Sequence, residues 1–283
     1  MIFNNYLNKV FGTKVKVKIL RFLFQYPDRG FTSRELSKFI NCSHTSISNS
    51  LRDIAGMNLI RGFERIGTAN YFKINKMSIL FNNLKKVFVY EKELLKRNKN
   101  LGMYLGSSVK IKILRTISAN PDKTYTSRAL AKDSNCSHVQ VLRTLGNPYM
   151  YNPPDKLKLA TDKFLYKKIL KDIFYFEKNI LNKLKNNIVD FGEKVSSIIL
   201  FGSIARGKET FKSDIDLLII TENKKEIKEI INEKQRYITE SCGNVISPYI
   251  MDRKEYHKKK DTPFMQELKK QENYKVWWGE KII

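Results

Sequence analysis

The stretch S-I-I-L-F-G-S-I-A-R-G-K-E-T-F-K-S-D-I-D-L-L-I-I-T, residues Ser197 to Thr221, decides the fold of the C-terminal part of the chain. It opens on an apolar run, Ile198 to Phe201, that reads as a buried strand. Gly202 and Ser203 follow, then a short polar segment, and Asp214-Ile215-Asp216 leads into a second apolar run, Leu217 to Ile220. Alternation along a strand puts Asp214 and Asp216 on one face and Ile215 on the other. Two adjacent carboxylates repel each other unless a cation sits between them. An all-oxygen pair suits Mg²⁺, which keeps waters and binds through one or two carboxylates plus substrate phosphates. Gly202 lets backbone approach a phosphate closely, and Ser203 adds a hydroxyl donor near the start of a helix.

An apolar strand, Gly-Ser, about ten residues and then Asp-x-Asp in a strand is similar to the signature of polymerase-β-type nucleotidyltransferases. The match includes the Ala205-Arg206-Gly207 and Ser213-Asp214 details of the minimal members of that group. The resemblance implies transfer of a nucleoside monophosphate from a nucleoside triphosphate to a hydroxyl, with Mg²⁺ or Mn²⁺ as cofactor. It makes Asp214 and Asp216 the catalytic, metal-holding carboxylates, and it puts Gly202, Ser203, Arg206, Lys208 and Ser213 around the nucleotide. That family carries a third carboxylate on the next strand, which here reads as Asn244 to Met251 after a helix over 224–241. The strand holds Ser247 and Pro248 and no acid; Glu240 lies just before it and Asp252 just after.

The chain has 283 residues, 42% of them hydrophobic, and a net charge of +25, which describes a folded, strongly basic protein of two or three domains. Residues 1–190 hold 35 Lys and Arg against 13 Asp and Glu, an excess of 22; residues 191–283 hold 18 against 15. The basic excess therefore sits outside the nucleotidyltransferase-like part and points to a polyanion partner. Three scattered cysteines form no disulfide framework, no apolar run is long enough to span a membrane, and the stretch M-I-F-N-N-Y-L-N-K-V is not expected to act as a secretory leader. The expected location is the cytoplasm.

Residues 12–51 and 106–145 align without a gap at an offset of 94, with about half the positions identical. V-K-V-K-I-L-R matches V-K-I-K-I-L-R, T-S-R-E-L matches T-S-R-A-L, and N-C-S-H recurs at 41–44 and 135–138. A period this long is a duplicated domain, not a solenoid. Each copy reads as three helices. In the first, apolar spacing gives a helix over 13–26, Thr32 and Glu35 form a capping box for 33–40, and Ser43 caps a third helix. Alternation around Gly67 then predicts a hairpin over 60–74.

This order resembles winged helix-turn-helix DNA-binding domains, twice over. The resemblance implies that the third helix of each copy enters the major groove of duplex DNA. The outward positions are His44, Thr45, Ser46, Ser48, Asn49 and Arg52 in the first copy, and His138, Gln140 and Arg143 in the second. Arg34, Arg128, Arg61 and Arg65 would touch phosphates or the minor groove. The second wing, 149–159, is degenerate. A solvated helix face is the plain alternative. Cys42-x-His44 and Cys136-x-His138 are too few for a tetrahedral zinc site unless the copies share one metal, and the turn cysteines read as small apolar residues.

The resulting expectation is a multidomain α+β chain. It runs as winged helix-turn-helix 1–77, linker helix 78–100, winged helix-turn-helix 101–161, linker helix 162–190 and nucleotidyltransferase-like α/β domain 191–283. Trp277 and Trp278 are expected in the core, as part of an aromatic lid. Two function classes remain open. One is an enzyme acting on a protein or nucleic-acid hydroxyl. The other is a non-catalytic transcriptional regulator or antitoxin whose degenerate domain only binds nucleotide. The partners implied are nucleotide, duplex DNA, a toxin or protein acceptor, and a second copy of the chain.

Overall fold

In the computed structural model, residue 3 and residues 6–66, 69–95, 102, 105–145, 170–191 and 194–280 are described. The first copy begins with a short helix α1 (Tyr6–Phe11) and continues with α2 (Lys14–Gln25), whose N-cap Thr13 accepts the N–H of Lys16. A two-residue strand β1 (Phe31–Thr32) precedes α3 (Ser33–Ile40), where the Thr32–Glu35 capping box forms in both directions. Asn41 turns the chain with φ 49°, and α4 (His44–Gly56) starts from Ser43. Strands β2 (Ile60–Ile66) and β3 (Ala69–Ile74) make the antiparallel hairpin, and β1 adds to the outer side of β3. Ile47, Leu51 and Ile54 of α4 point into the core, as their spacing dictates. Helix α5 (Phe81–Leu95) follows, with Leu84, Val87 and Phe88 buried.

The second copy repeats the helices: α6 (Ser108–Ala119), α7 (Ser127–Asp133) capped by Thr126, and α8 (His138–Leu145). Its degenerate wing, 149–159, and the start of its long helix at 162 lie outside the described residues. Helix α9 (Lys171–Ile188) packs against α5, so the two long helices join the copies. The duplication reaches individual hydrogen bonds. Arg21 of α2 forks onto Glu91 of α5 at 2.8 and 2.5 Å. Its equivalent Arg115 of α6 forks onto Glu177 of α9 at 2.6 and 2.9 Å. Both carboxylates are buried.

The C-terminal part is a four-stranded sheet in the order β6-β5-β4-β7. Strand β4 (Ser197–Leu200) leads through the one-turn helix α10 (Gly202–Ala205) to β5 (Ile215–Ile220). Helix α11 (Lys224–Cys242) then crosses to β6 (Ile246–Met251), which lies parallel to β5. Gly243, at φ +75°, ends α11 in the left-handed conformation. Helices α12 (Arg253–Lys259) and α13 (Pro263–Lys269) precede the edge strand β7 (Lys275–Gly279). One sheet face joins the core shared with the helical units. Ile199, Leu218, Ile220 and Met251 on the other face form a second core with Tyr256, Met265 and Leu268. V-W-W-G is thus a strand paired with β4 and not a lid. Alternation buries Trp277 and leaves Trp278 44% exposed, which corrects the expectation that both are core.

The sheet is docked on the first copy. The C-terminal carbonyl of Glu240 in α11, one of the orphan acceptors of a helix end, receives Asn58, Arg61 and Asn75 side chains at 2.9, 2.8 and 3.1 Å. Among the described residues no helix is long and apolar enough to cross a membrane.

Candidate active site

Strand β5 ends its pairing at Ile215, so Asp214 stands in the turn ahead of it, exposed, and Asp216 is half-buried on the α12–α13 side of the sheet. The turn is held by hydrogen bonds on both sides. The Thr210 N–H donates to Ser213 Oγ at 2.8 Å, the Asn244 amide donates to the Ser213 carbonyl at 2.7 Å, and the Ile215 N–H donates to the Val245 carbonyl at 2.8 Å. Ser213 therefore fixes where Asp214 sits.

Opposite Asp216, the chain leaving β4 closes the site. The Phe201 N–H donates to the Asp216 carbonyl at 3.0 Å. Gly202 has φ +73°, and a Cβ built on it would lie 2.0 Å from Asp216 Oδ2. Only glycine satisfies both the backbone conformation and the space. The turn then winds back on itself, with Arg206 N–H on the Gly202 carbonyl at 3.3 Å and Lys208 N–H on the Ser203 carbonyl at 2.9 Å. Arg206 and Lys208 are exposed, and Ser203 is half-buried.

The electrostatics follow from this crowding. Burial, and then the neighbouring Asp214 charge, raise the Asp216 carboxyl above its ordinary value; Arg206 pulls the other way. The two carboxylates hold more negative charge than one cation from the protein offsets, which is the donor set a divalent ion fits. Among the described residues no cluster of three or more His, Cys, Asp or Glu forms, so the fit is for an ion completed by phosphate oxygens and water.

The two acids flanking the third strand are engaged elsewhere. Asp216 and Ser247 are register partners on β5 and β6, so Ser247 occupies the neighbouring place on the same face. Asp252 caps α12 in a capping box with Glu255 and pairs with Lys224 at 2.7 Å, and that lysine holds its carboxyl below the usual range. Glu240 pairs with Arg236 at 3.3 Å.

The helical half divides the sequence-derived positions. Thr45, Asn49 and Arg52 of α4 and Arg34 of α3 are exposed, while Ser48 is half-buried. Arg34, His44, Ser48 and Arg52 line a groove of about 560 Å³ with Asn70 and Phe72 of β3. His44 Nε2 is 2.9 Å from Ser33 Oγ, and Ser46 serves the cap of α4 through Ser43. Arg61, which is exposed, donates to the Glu240 carbonyl at 2.8 Å. Arg65 lies in β2 opposite Asn70. In the second copy Arg128 and Arg143 are exposed, and His138 sits 2.9 Å from Ser127 Oγ, as its equivalent does. Gln140 accepts the Ser137 N–H at 3.0 Å and so works as a cap. Cys42 and Cys136 pack against the core, and among the described residues they gather no metal-ligand cluster.

Two residues escaped the sequence reading. Glu209, buried, accepts the Phe3 N–H at 3.0 Å, and the ring of Phe211 lies against Gly56 at the end of α4. Both sit in the segment joining Gly202-Ser203 to Asp214-Asp216. Their only sequence signal was a carboxylate and an aromatic in an otherwise polar turn.

Residues 181–275 match the family described as "Nucleotidyltransferase domain". A curated protein of Methanocaldococcus jannaschii, whose name provisionally assigns it protein adenylyltransferase activity, is 48% identical over 50 residues, 14% of this chain and 34% of the relative. The chain thus spans about a third of the length of the curated relative it matches. No solved structure matches the chain. The C-terminal part carries a nucleotidyltransferase domain, a class that uses nucleoside triphosphate and a divalent metal.

Proposed function

We propose that the chain is a DNA-binding protein that transfers a nucleoside monophosphate, with AMP from ATP the first donor to test, to a hydroxyl of a protein or nucleic acid. The observation that carries the transfer is the interlock of Gly202 with Asp216. It brings the backbone of the Gly-Ser turn against Asp216, where a triphosphate and a divalent ion would share one cradle.

In this reading Asp214 and Asp216 hold the ion, which when bound supplies Lewis-acid polarisation of the phosphate. Ser203 and the exposed Arg206 and Lys208 neutralise phosphate charge. The acceptor oxygen forms a bond to the α-phosphorus while the bond to pyrophosphate breaks, and the hydroxyl proton leaves to solvent. The adenylyl choice follows the relative's name.

The test is label transfer from ATP, CTP, GTP and UTP with Mg²⁺ or Mn²⁺, using duplex DNA and cell extract as acceptors. An Asp214→Ala/Asp216→Ala control runs beside it. Transfer abolished in the control supports the enzyme. Ser247 beside Asp216 favours a second reading, nucleotide binding without turnover in a DNA-bound regulator or antitoxin. Retained nucleotide binding with no transfer selects that reading. Duplex binding is supported by the basic excess of residues 1–190 and the groove beside α4, and its affinity should fall steeply with salt.

A further inference from the structure

Thr13 and Ser107 form an isolated antiparallel bridge, and they are the same position of the repeat, 94 residues apart. An antiparallel pair of equivalent residues places a local two-fold axis between them. The flanking contacts are reciprocal, as a two-fold requires. A Cβ on Gly12 would lie 2.9 Å from Ser108 Oγ, and one on its equivalent Gly106 would lie 2.8 Å from Cγ of Lys14, the equivalent of Ser108. The long helices α5 and α9, which carry the equivalent Glu91 and Glu177, also pack against each other. The matched Ser33–His44 and Ser127–His138 contacts, both 2.9 Å, show that α4 and α8 are seated alike within their copies.

We infer that one chain binds one DNA duplex at two inverted, non-identical half-sites, doing alone what a symmetric dimer does with two copies. The inference rests on the DNA-binding reading above. A two-fold that relates α4 to α8 presents them in opposite senses, so a single duplex meeting both must offer its half-sites inverted about the protein's axis. The half-sites differ because the helices differ. Helix α4 exposes Thr45, Asn49 and Arg52, side chains suited to adenine and guanine edges. Helix α8 exposes Val139 and Leu142, 55% and 51% accessible, beside Arg143. Apolar side chains in the major groove read the thymine methyl, so the second half-site differs from the first where Val139 and Leu142 stand in place of Thr45 and Ser48.

The experiment selects binding sequences for the full chain from a randomised duplex library and measures chains per duplex by sedimentation. Expected are two half-sites in inverted order, spaced by whole helical turns, with one chain per duplex. Arg52→Ala should relax preference in one half-site and Arg143→Ala in the other, each weakening binding by about tenfold. Both side chains are exposed, so the melting temperature checks that the fold is retained. Direct repeats, a single half-site, or two chains on identical halves overturn the inference while leaving DNA binding standing. Absence of duplex binding at low salt overturns the DNA-binding reading itself, and this arrangement with it.

Discussion

Asp216 and Ser247 stand side by side on parallel strands β5 and β6, paired at the Cα level and facing the same side of the sheet. A carboxylate at position 247 would reach the space where Asp214 and Asp216 converge. Ser247→Asp is therefore expected to tighten Mg²⁺ binding and to raise nucleotidyl transfer by about tenfold, near 1.4 kcal/mol of barrier. Without the ion a third negative charge adds repulsion, so the same variant should melt lower in chelator than the parent. Calorimetry of Mg²⁺ binding and label transfer check both signs. No gain in either would mean that the pair works without a third acid.

Gly202→Ala puts a methyl group where Asp216 Oδ2 now lies and imposes φ +73° on a residue with a side chain. The backbone strain alone costs about 1–3 kcal/mol. Displacement of the carboxylate should remove nucleotide-dependent stabilisation and transfer together. Thermal melting with and without Mg²⁺-ATP separates the two effects. A variant that keeps the ligand-induced shift would show that Gly202 serves the fold only.

The raised carboxyl of Asp216 sets a pH dependence. In the folded, ion-free protein it holds its proton to higher pH than in the unfolded chain. Its contribution is favourable below the unfolded value, about 3.9, and is lost as pH rises through the raised folded value. Asp216→Asn should raise the melting temperature of the ion-free protein at neutral pH and leave it little changed near pH 3. Saturating Mg²⁺-ATP should stabilise the parent at neutral pH, by about 2.7 kcal/mol at a hundredfold excess over Kd, and the variant far less. Equal ligand stabilisation in both would remove Asp216 from the ion site.

Strand, turn and strand around Gly202 and Asp216 were legible because spacing along one chain segment fixes them. The helix starts at Thr32 and Ser43 were legible for the same reason: capping is local. What the sequence hid was long-range. The surroundings of Asp252 and Arg61 depend on Lys224 and Glu240, which come close only after the sheet forms and docks. Val-Trp-Trp-Gly is too short to distinguish an edge strand from a lid until β4 is there to pair with it. The Arg–Glu pairs lay between legible and hidden. Arg21 and Arg115 fall in the matched V-K-x-K-I-L-R, and Glu91 and Glu177 fall in matched long helices, but only the packing joins them.

Arg115 holds more than its own copy together. Its guanidinium meets buried Glu177 and donates to Asn8 Oδ1 at 2.6 Å, while Glu177 also accepts the Leu7 N–H at 3.0 Å. Arg115→Ala leaves a buried carboxylate without its cation, at a cost of about 3–5 kcal/mol. An apolar double replacement, Arg115→Met with Glu177→Leu, should recover much of the loss, because it removes the charge that needed compensation. Denaturant melts of the three proteins test this. A small effect from Arg115→Ala alone would mean that water reaches the pair.

Gly56 closes the first copy against the segment between Gly202 and Asp214, since a Cβ there would come within 2.7 Å of the Phe211 ring. Helix α4 therefore exposes Thr45 and Asn49 toward one end and meets the segment between Gly202 and Asp214 at the other. Gly56→Ala must push the ring aside, an overpacking that costs about 1–3 kcal/mol. The segment cannot yield freely, because buried Glu209 two residues earlier is tied to the Phe3 N–H. The strain should reach the nucleotide site, weakening nucleotide binding in calorimetry. Phe211→Leu provides room for the added methyl, so the double variant should be more stable than the sum of the single effects predicts. Additive losses would mean that the ring moves without resistance and that α4 and the nucleotide segment are mechanically independent.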